Sequence, residues 1–277
     1  MRRRGARSSH RTIRWRRRDP LASHENQGKP MKKAILSLVV VLFCTSAGAA
    51  APAIPPFVQS AVTDPARPNA DTMRDADRNP ADTVAFAGVK PGDTVLELLA
   101  GGGYFTRILS KVVGPTGHVY ATVPAALVQA RPTSADALKA LAADPAYANV
   151  TVLVQPTGSP SAPAPVDVVW TSLNYHDLHN PGPFGAGDIP GFNKAVLAAL
   201  KPGGSFIVID HATVAGAGLT QTGTLHRIDP MTAKSEIMQA GFTFAGQSDA
   251  LHRPNDDYTA HSTDKDDQFI FRFRKPR

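Results

Sequence analysis

"VLELLAGGGYFT", residues 95–106, decides how this chain is read. An apolar run from Thr94 to Leu99 carries one acid, Glu97. Three bare residues follow, Gly101, Gly102 and Gly103, and then "YFTRILSKVV" places Phe105, Ile108, Leu109 and Val112 at helical spacing. A buried strand that turns through glycines into a helix opens a parallel α/β sheet, whose ligands sit beyond the carboxyl ends of the strands. Which ligand needs bare backbone there is narrowed by what is absent. A dinucleotide fingerprint would need glycine at 106, where Thr106 stands. A phosphate loop would need Gly-Lys-Ser/Thr, where Tyr104-Phe105 stands. The glycines therefore either simply let a strand turn, or bring the main chain close to a ligand that carries no phosphate.

Working outward, "NADTMRDADRNPADTVAFAGV" has helical signals, with Asn69 and Asn79 as expected caps and Pro80 suited to a first turn. Downstream, "GPTG" ends the first helix and "HVYATV" reads as a second strand. "SADALKALAAD" reads as a helix, "NVTVLVQ" as a third strand, and "DVVWTSL" as a fourth after the proline-rich loop "TGSPSAPAP". "IPGFNKAVLAAL", "KPGG" and "SFIVID" give helix, turn and fifth strand. "DPMTAKSEIMQAG", "FTFAGQSDAL" and "QFIFRFRK" give a last helix and two strands. The alternation predicts a Rossmann-like, doubly wound, mostly parallel seven-stranded sheet with an antiparallel C-terminal edge hairpin.

Charge divides the chain in two. Residues 1–33 hold nine Arg and three Lys against Asp19 and Glu25, whereas the rest has 18 basic and 21 acidic residues, so the overall +7 does not describe the folded part. That argues against a nucleic-acid partner. From Met31, "MKKAILSLVVVLFCTSAGAAAPA" has the basic, apolar and small-residue parts of a signal peptide, with an apolar run too short for a stable span. The expected organisation is a basic extension, 1–30, that is disordered or precedes the true start; a signal peptide, 31–49; a Pro/Ala-rich surface arm, 50–70; and one catalytic-type domain, 71–277. An exported, periplasmic protein without a membrane span after cleavage follows. The lone Cys44 would leave with the signal, which excludes thiol catalysis and thiolate metal sites.

The acid of "VLELLAGGG" followed by a glycine loop resembles motif I of the class I S-adenosylmethionine-dependent methyltransferases. "LKPGGSFIVID" (200–210) and "DVVWTSLNYHDL" (167–178) are similar to that family's fifth strand and to its fourth strand with the active-site segment. The resemblance covers about residues 85–276, and "NYHDLHN", "LHRIDP" and "QFIFRFRKP" resemble an exported bacterial subgroup. It implies S-adenosyl-L-methionine as cofactor and a small-molecule methyl acceptor. By the resemblance Glu97 faces the ligand's amino group, and Gly101, Gly102, Gly103, Tyr104, Thr122 and Asn174 line the cofactor. Two departures stand out: Leu99 replaces a usual loop glycine, and Thr122-Val123 replace the acid that binds the ribose at the end of the second strand.

The segment after the fourth strand should face the transferred methyl. His176 is expected as general base or orienting group, Tyr175 or Asn174 as a hydrogen-bonding wall, and Asp177 as a partner for an imidazole. His211, at the end of the fifth strand, is a further catalytic candidate. Asp229 should cap the helix beginning at Pro230, and Arg227 should pair with a carboxylate of the chain or of a substrate. Two rival readings use other chemistry: a non-catalytic ligand-binding module on the same fold, and a metal-dependent hydrolase built on His176, His179, His211 and His226. The spacing of these histidines matches no metal motif, so no metal ligand is assigned.

Overall fold

The structure, a computed structural model, describes residues 53–261 and 263–277. The expectations for the basic extension, the signal peptide and the first residues of the arm lie outside the described residues. Helices α1 (Pro56–Val62), α2 (Asn69–Thr72), α3 (Asp75–Arg78) and α4 (Pro80–Ala87) precede the first strand. Then follow β1 (Thr94–Leu98), α5 (Tyr104–Val113), β2 (His118–Pro124), α6 (Ala125–Ala130), α7 (Asp136–Ala143), β3 (Val150–Gln155), β4 (Val166–Ser172), α8 (Ile189–Ala199), β5 (Leu200–His211), α9 (Pro230–Gln239), β6 (Thr243–Ser248) and β7 (Gln268–Arg274).

All seven strands form one sheet in the order β3-β2-β1-β4-β5-β7-β6. β7 runs antiparallel to both its neighbours, and the other six strands share one direction. This is the expected doubly wound sheet, with the last strand inserted inside and β6 left on the edge. The strands bury both faces, so successive residues enter opposite cores. Val95, Ile207 and Ile209 join Ile108, Leu109 and Trp170 on the face covered by α1, α4, α5 and α7. Leu96, Phe206 and Val208 join Phe192, Val196 and Ile237 on the face covered by α8 and α9.

Register then places the site. Leu98 pairs with Thr171, and Ser172 with Ile209, so the carboxyl ends of β1, β4 and β5 finish along one edge. The strand order reverses at β1, and a crevice opens there.

Local expectations are corrected at several points. Within the described part of the arm, α1 lies on the domain and buries Val58 and Ala61 against the α5 face. Asn69 is the first residue of α2 rather than its cap, and Asn79 adopts a left-handed conformation (φ 38°) that ends α3 and begins α4 without a side-chain capping bond. "KPGG" is not a free turn: pairing begins at Leu200 and the irregularity is taken up by a register shift opposite Val166–Val168, with Gly203 at φ +77°. Among the described residues no helix is long and apolar enough to cross a membrane.

Candidate functional site

A cavity of about 470 Å³ opens at the carboxyl ends of β1, β4 and β5. Its floor is the glycine loop, its far wall is the segment after β4, and its near wall is α2–α3. Four of the six described non-glycine residues with positive φ line it: Leu99, Leu173, His226 and Thr263. Strained backbone of this kind persists where surrounding structure over-determines it, and it clusters at functional sites.

The three glycines do different work. A Cβ on Gly101 or Gly102 would meet nothing within 4 Å, so their main chain faces open space that the protein does not fill itself. Gly103 does not line the cavity. It begins α5 at φ +85°, and a Cβ there would lie 2.7 Å from Leu141 Cδ1. Its bareness serves packing, contrary to the expectation of a cofactor contact. Gly103→Ala is expected to cost about 1–3 kcal/mol through left-handed strain and overpacking, read as a lower urea midpoint with unchanged m-value; an unchanged midpoint would contradict this assignment.

Glu97 lines the cavity from β1. Its carboxylate accepts a 2.5 Å hydrogen bond from Thr106 Oγ1. Burial pushes its pKa up to about 8, partly opposed by the Thr106 hydroxyl and the charges of Arg78 and Arg107. Tyr104 lines the cavity with its ring, while its hydroxyl donates to Asp75 Oδ1 at 2.6 Å; burial and Asp75 push that phenol's pKa up. Arg78, 4.5 Å from the Tyr104 ring centre, and Arg74 both enter the cavity and are held by Asp264. Neither arginine is among the residues the sequence points to, because the helical signals of 69–89 say nothing of which side chains reach the cavity.

Thr122 is not in the cavity. Its hydroxyl accepts from the Leu99 amide at 3.0 Å and its carbonyl accepts from Ala100, so it braces the loop from behind. Asn174 does line the cavity: Nδ2 donates to the carbonyls of Ser172 and Leu99, and Oδ1 accepts from Thr171 Oγ1. It ties the loop after β4 to the loop after β1.

His176 is buried in the wall. Asp210 accepts from its backbone amide at 2.6 Å and lies 2.8 Å from Nδ1, while Nε2 lies 3.3 Å from Asp177 Oδ1 without making a hydrogen bond. Burial opposes charge on this ring, but Asp210 and Asp177 outweigh it and raise the pKa to about 10. The two flanking carboxylates fix the ring in place, which favours an orienting role over that of a freely moving base. Asp177 Oδ1 thus stands between two imidazoles, since it also lies 3.2 Å from His226 Nδ1. His211 lines the cavity too, and burial pushes its pKa down.

Tyr175 does not face the cavity. It is fully buried toward α8 and α9, where its hydroxyl donates to Glu236 at 3.1 Å and accepts from Asn193 Nδ2 at 2.9 Å. His179 goes with it, 3.0 Å from Glu236 Oε2, and so stands apart from the other histidines. Asp229 caps α9 as expected, accepting from the Met231 amide at 2.9 Å. Arg227 pairs with Asp256 and Asp266 of the chain itself. The polar segment "HRPNDDYTAHSTDKDD" (252–267) does reach the cavity, bringing His261 and Thr263. The proline-rich loop 156–165 contributes none of the lining residues.

No family model matches the chain. Over 116 residues it is 34% identical to a protein-L-isoaspartate O-methyltransferase of Methanosarcina mazei, a stretch that is 41% of this chain and 39% of that relative. The chain thus spans well under half the length of the curated relative it matches. Among solved structures, an S-adenosylmethionine-dependent methyltransferase from Aquifex aeolicus superposes with a TM-score of 0.51 at 19% identity, covering 73% of this chain and 95% of that one. A methyltransferase-like protein from Bacillus halodurans C-125 gives 0.52 at 15% identity, covering 71% and 98%. The strand order, the inserted antiparallel β7 and these superpositions agree: the chain has the Rossmann-like fold of the class I S-adenosylmethionine-dependent methyltransferases.

Proposed function

We propose that the protein is an S-adenosylmethionine-dependent methyltransferase acting on a small-molecule acceptor after export to the periplasm. The observation that carries this reading is the open main chain of Gly101 and Gly102 above a buried acid, Glu97, and beside Arg78. The volume, about 470 Å³, lies within the usual range for ligand pockets. An amino acid head group, which bears one cation and one carboxylate, matches the buried Glu97 carboxyl, which a bound ammonium would ionise, and the Arg78 guanidinium. The fit is good at this end. At the other end β2 supplies no acid, because Thr122 is committed to the Leu99 amide.

When bound, the cofactor supplies a methyl group activated by a sulfonium charge. The chain's own residues then act by placement. Asn174 fixes the wall against the floor, and Asp210 fixes the His176 ring so that an acceptor entering on the histidine side meets it in one orientation. The sequence similarity to an O-methyltransferase supports methyl transfer as the reaction class and leaves the acceptor open. Export rests on the signal-like stretch 31–49; N-terminal sequencing of the periplasmic protein is expected to show cleavage near residue 49.

Isothermal titration calorimetry with S-adenosylmethionine and S-adenosylhomocysteine tests the reading. Both are expected to bind. Gly102→Ala, which adds a methyl group into empty space, is expected to keep the wild-type melting temperature yet weaken both ligands by at least about tenfold, ~1.4 kcal/mol. Absence of heat from either ligand with the folded wild-type protein would overturn the proposal.

A further inference from the structure

Four imidazoles meet at the cavity wall, contributed by four separate parts of the chain. His176 follows β4, His211 ends β5, His226 lies before α9, and His261 belongs to the segment before β7. Their ring centres form a closed circuit: 5.3 Å from His176 to His226, 5.2 Å to His261, 5.0 Å to His211 and 5.8 Å back to His176. Two carboxylates divide the circuit into halves. Asp177 Oδ1 lies 3.3 Å from His176 Nε2 and 3.2 Å from His226 Nδ1. Asp266 Oδ2 lies 3.3 Å from His211 Nδ1 and 2.9 Å from His261 Nδ1. Within each half the three donor atoms all lie within 4.8 Å of one another.

We propose that these two halves bind transition-metal dications, one in the triad His176, Asp177 and His226 and one in the triad His211, Asp266 and His261. This stands apart from the methyltransferase reading and does not depend on it. Two observations point to a ligand beyond the clustering itself. Each triad contains one buried imidazole nitrogen that makes no hydrogen bond, His176 Nε2 in the first and His211 Nδ1 in the second, and both side chains are only 2% exposed. A buried polar atom left unpaired is costly, and unpaired groups in native structures call for a partner.

The second observation is support from behind. Asp210 engages His176 Nδ1 and so fixes the ring with Nε2 turned to Asp177, the arrangement in which an outer carboxylate orients a metal-bound histidine. Arg227 Nη2 lies 3.0 Å from Asp266 Oδ1, on the side away from the oxygen that faces the imidazoles. The separations fit as well. Ligands at about 2.0–2.2 Å from a four-coordinate ion stand roughly 3.3–3.6 Å from each other, close to three of the four distances above. Imidazole with carboxylate favours zinc and its neighbours over magnesium or calcium. Three protein ligands leave a fourth position, and His176, Asp177, His226, His211 and His261 all line the cavity, with Asp266 behind them. A dication there would leave one position for water or for an oxygen or nitrogen of whatever enters the cavity.

The test measures metal directly. The full chain is stripped with chelator, refilled with zinc, desalted and assayed by mass spectrometry of the elements. About two equivalents are expected to remain. His226→Ala and His261→Ala, each altering a partly exposed side chain, are expected to keep about one, and the double variant none. Cobalt(II) in place of zinc should give the visible absorption of a four-coordinate ion, halved in each single variant. Fewer than about one equivalent in the folded wild-type chain, or retention unchanged in both variants, would sink the proposal. A single equivalent removed by either variant alone would mean one shared ion and would overturn the two-triad assignment. S-adenosylmethionine binding, measured separately on the stripped protein, keeps the fate of the two proposals distinct.

Discussion

Glu97→Gln is expected to weaken S-adenosylmethionine binding by about 10- to 100-fold, corresponding to the ~1.5–3 kcal/mol of a hydrogen bond to a charged group. It is also expected to remove the pH dependence of that binding. The buried carboxyl holds its proton up to about pH 8 in the folded protein, and a ligand ammonium beside it favours the ionised form. Binding to the wild type must therefore release a proton below that pH, and affinity should rise between pH 6 and 8, flattening where the ligand's own amino group begins to titrate. The variant should show a low, flat profile. An equally steep profile in the variant would place the titrating group elsewhere.

The same residue has an opposite effect on the unliganded fold. Its pKa stands at about 8 when folded against 4.5 otherwise, so the native state binds more protons between those values. Stability contributed by the neutral carboxyl is complete below pH 4.5 and is lost as pH rises to about 8. Glu97→Gln keeps an oxygen for Thr106 to donate to and carries no charge. The variant should therefore match or exceed the wild type at pH 8, with the difference shrinking toward pH 5; urea unfolding at both values reads it. A binding residue that destabilises its own fold is a common feature of functional sites.

Arg227→Met is expected to cost about 3–5 kcal/mol of stability, the range for removing one partner of a buried ion pair. The guanidinium is 1% exposed and is saturated: Nη1 donates to Asp256 and to the Ala212 carbonyl, Nη2 to Asp256 and the Ala260 carbonyl and lies 3.0 Å from Asp266, and Nε also donates to Ala260. Methionine fills the volume but leaves two carboxylates and two carbonyls without that donor. Chemical denaturation should show the loss, and limited proteolysis should find new cleavage between residues 252 and 266, the segment that Arg227 pins against β5. A loss below about 1 kcal/mol would mean that water replaces the guanidinium with little penalty.

Much of the architecture was legible because its signals are local. Val95 and Leu96 alternate with the pleat, Ile108 and Leu109 repeat with the helical turn, and Gly101–Gly103 mark where one period gives way to the other. The order of β-α units then leaves few sheet topologies, since crossovers are right-handed. Errors arose where a local signal had a tertiary use. Tyr175 sits beside His176 in the chain, yet one turn of a 3-10 segment, His176–His179, sends the two side chains to opposite sides of the wall. Gly103 looks like its two neighbours, and what distinguishes it is the close approach of Leu141 and Leu138, brought over by α7.

By itself, the sequence determined the doubly wound sheet, the glycine elbow after β1 and the acid at its base, because each depends on residues within a few positions of one another. Only the tertiary structure decided which side chains share the cavity. Asp210 meets His176 across 34 residues, and His261 joins the other histidines from a segment whose composition reads as a solvated connector. Those encounters are fixed by strand register and by buried pairs such as Arg227 with Asp266. Long-range geometry of that kind has no period, spacing or local propensity through which a linear chain could announce it.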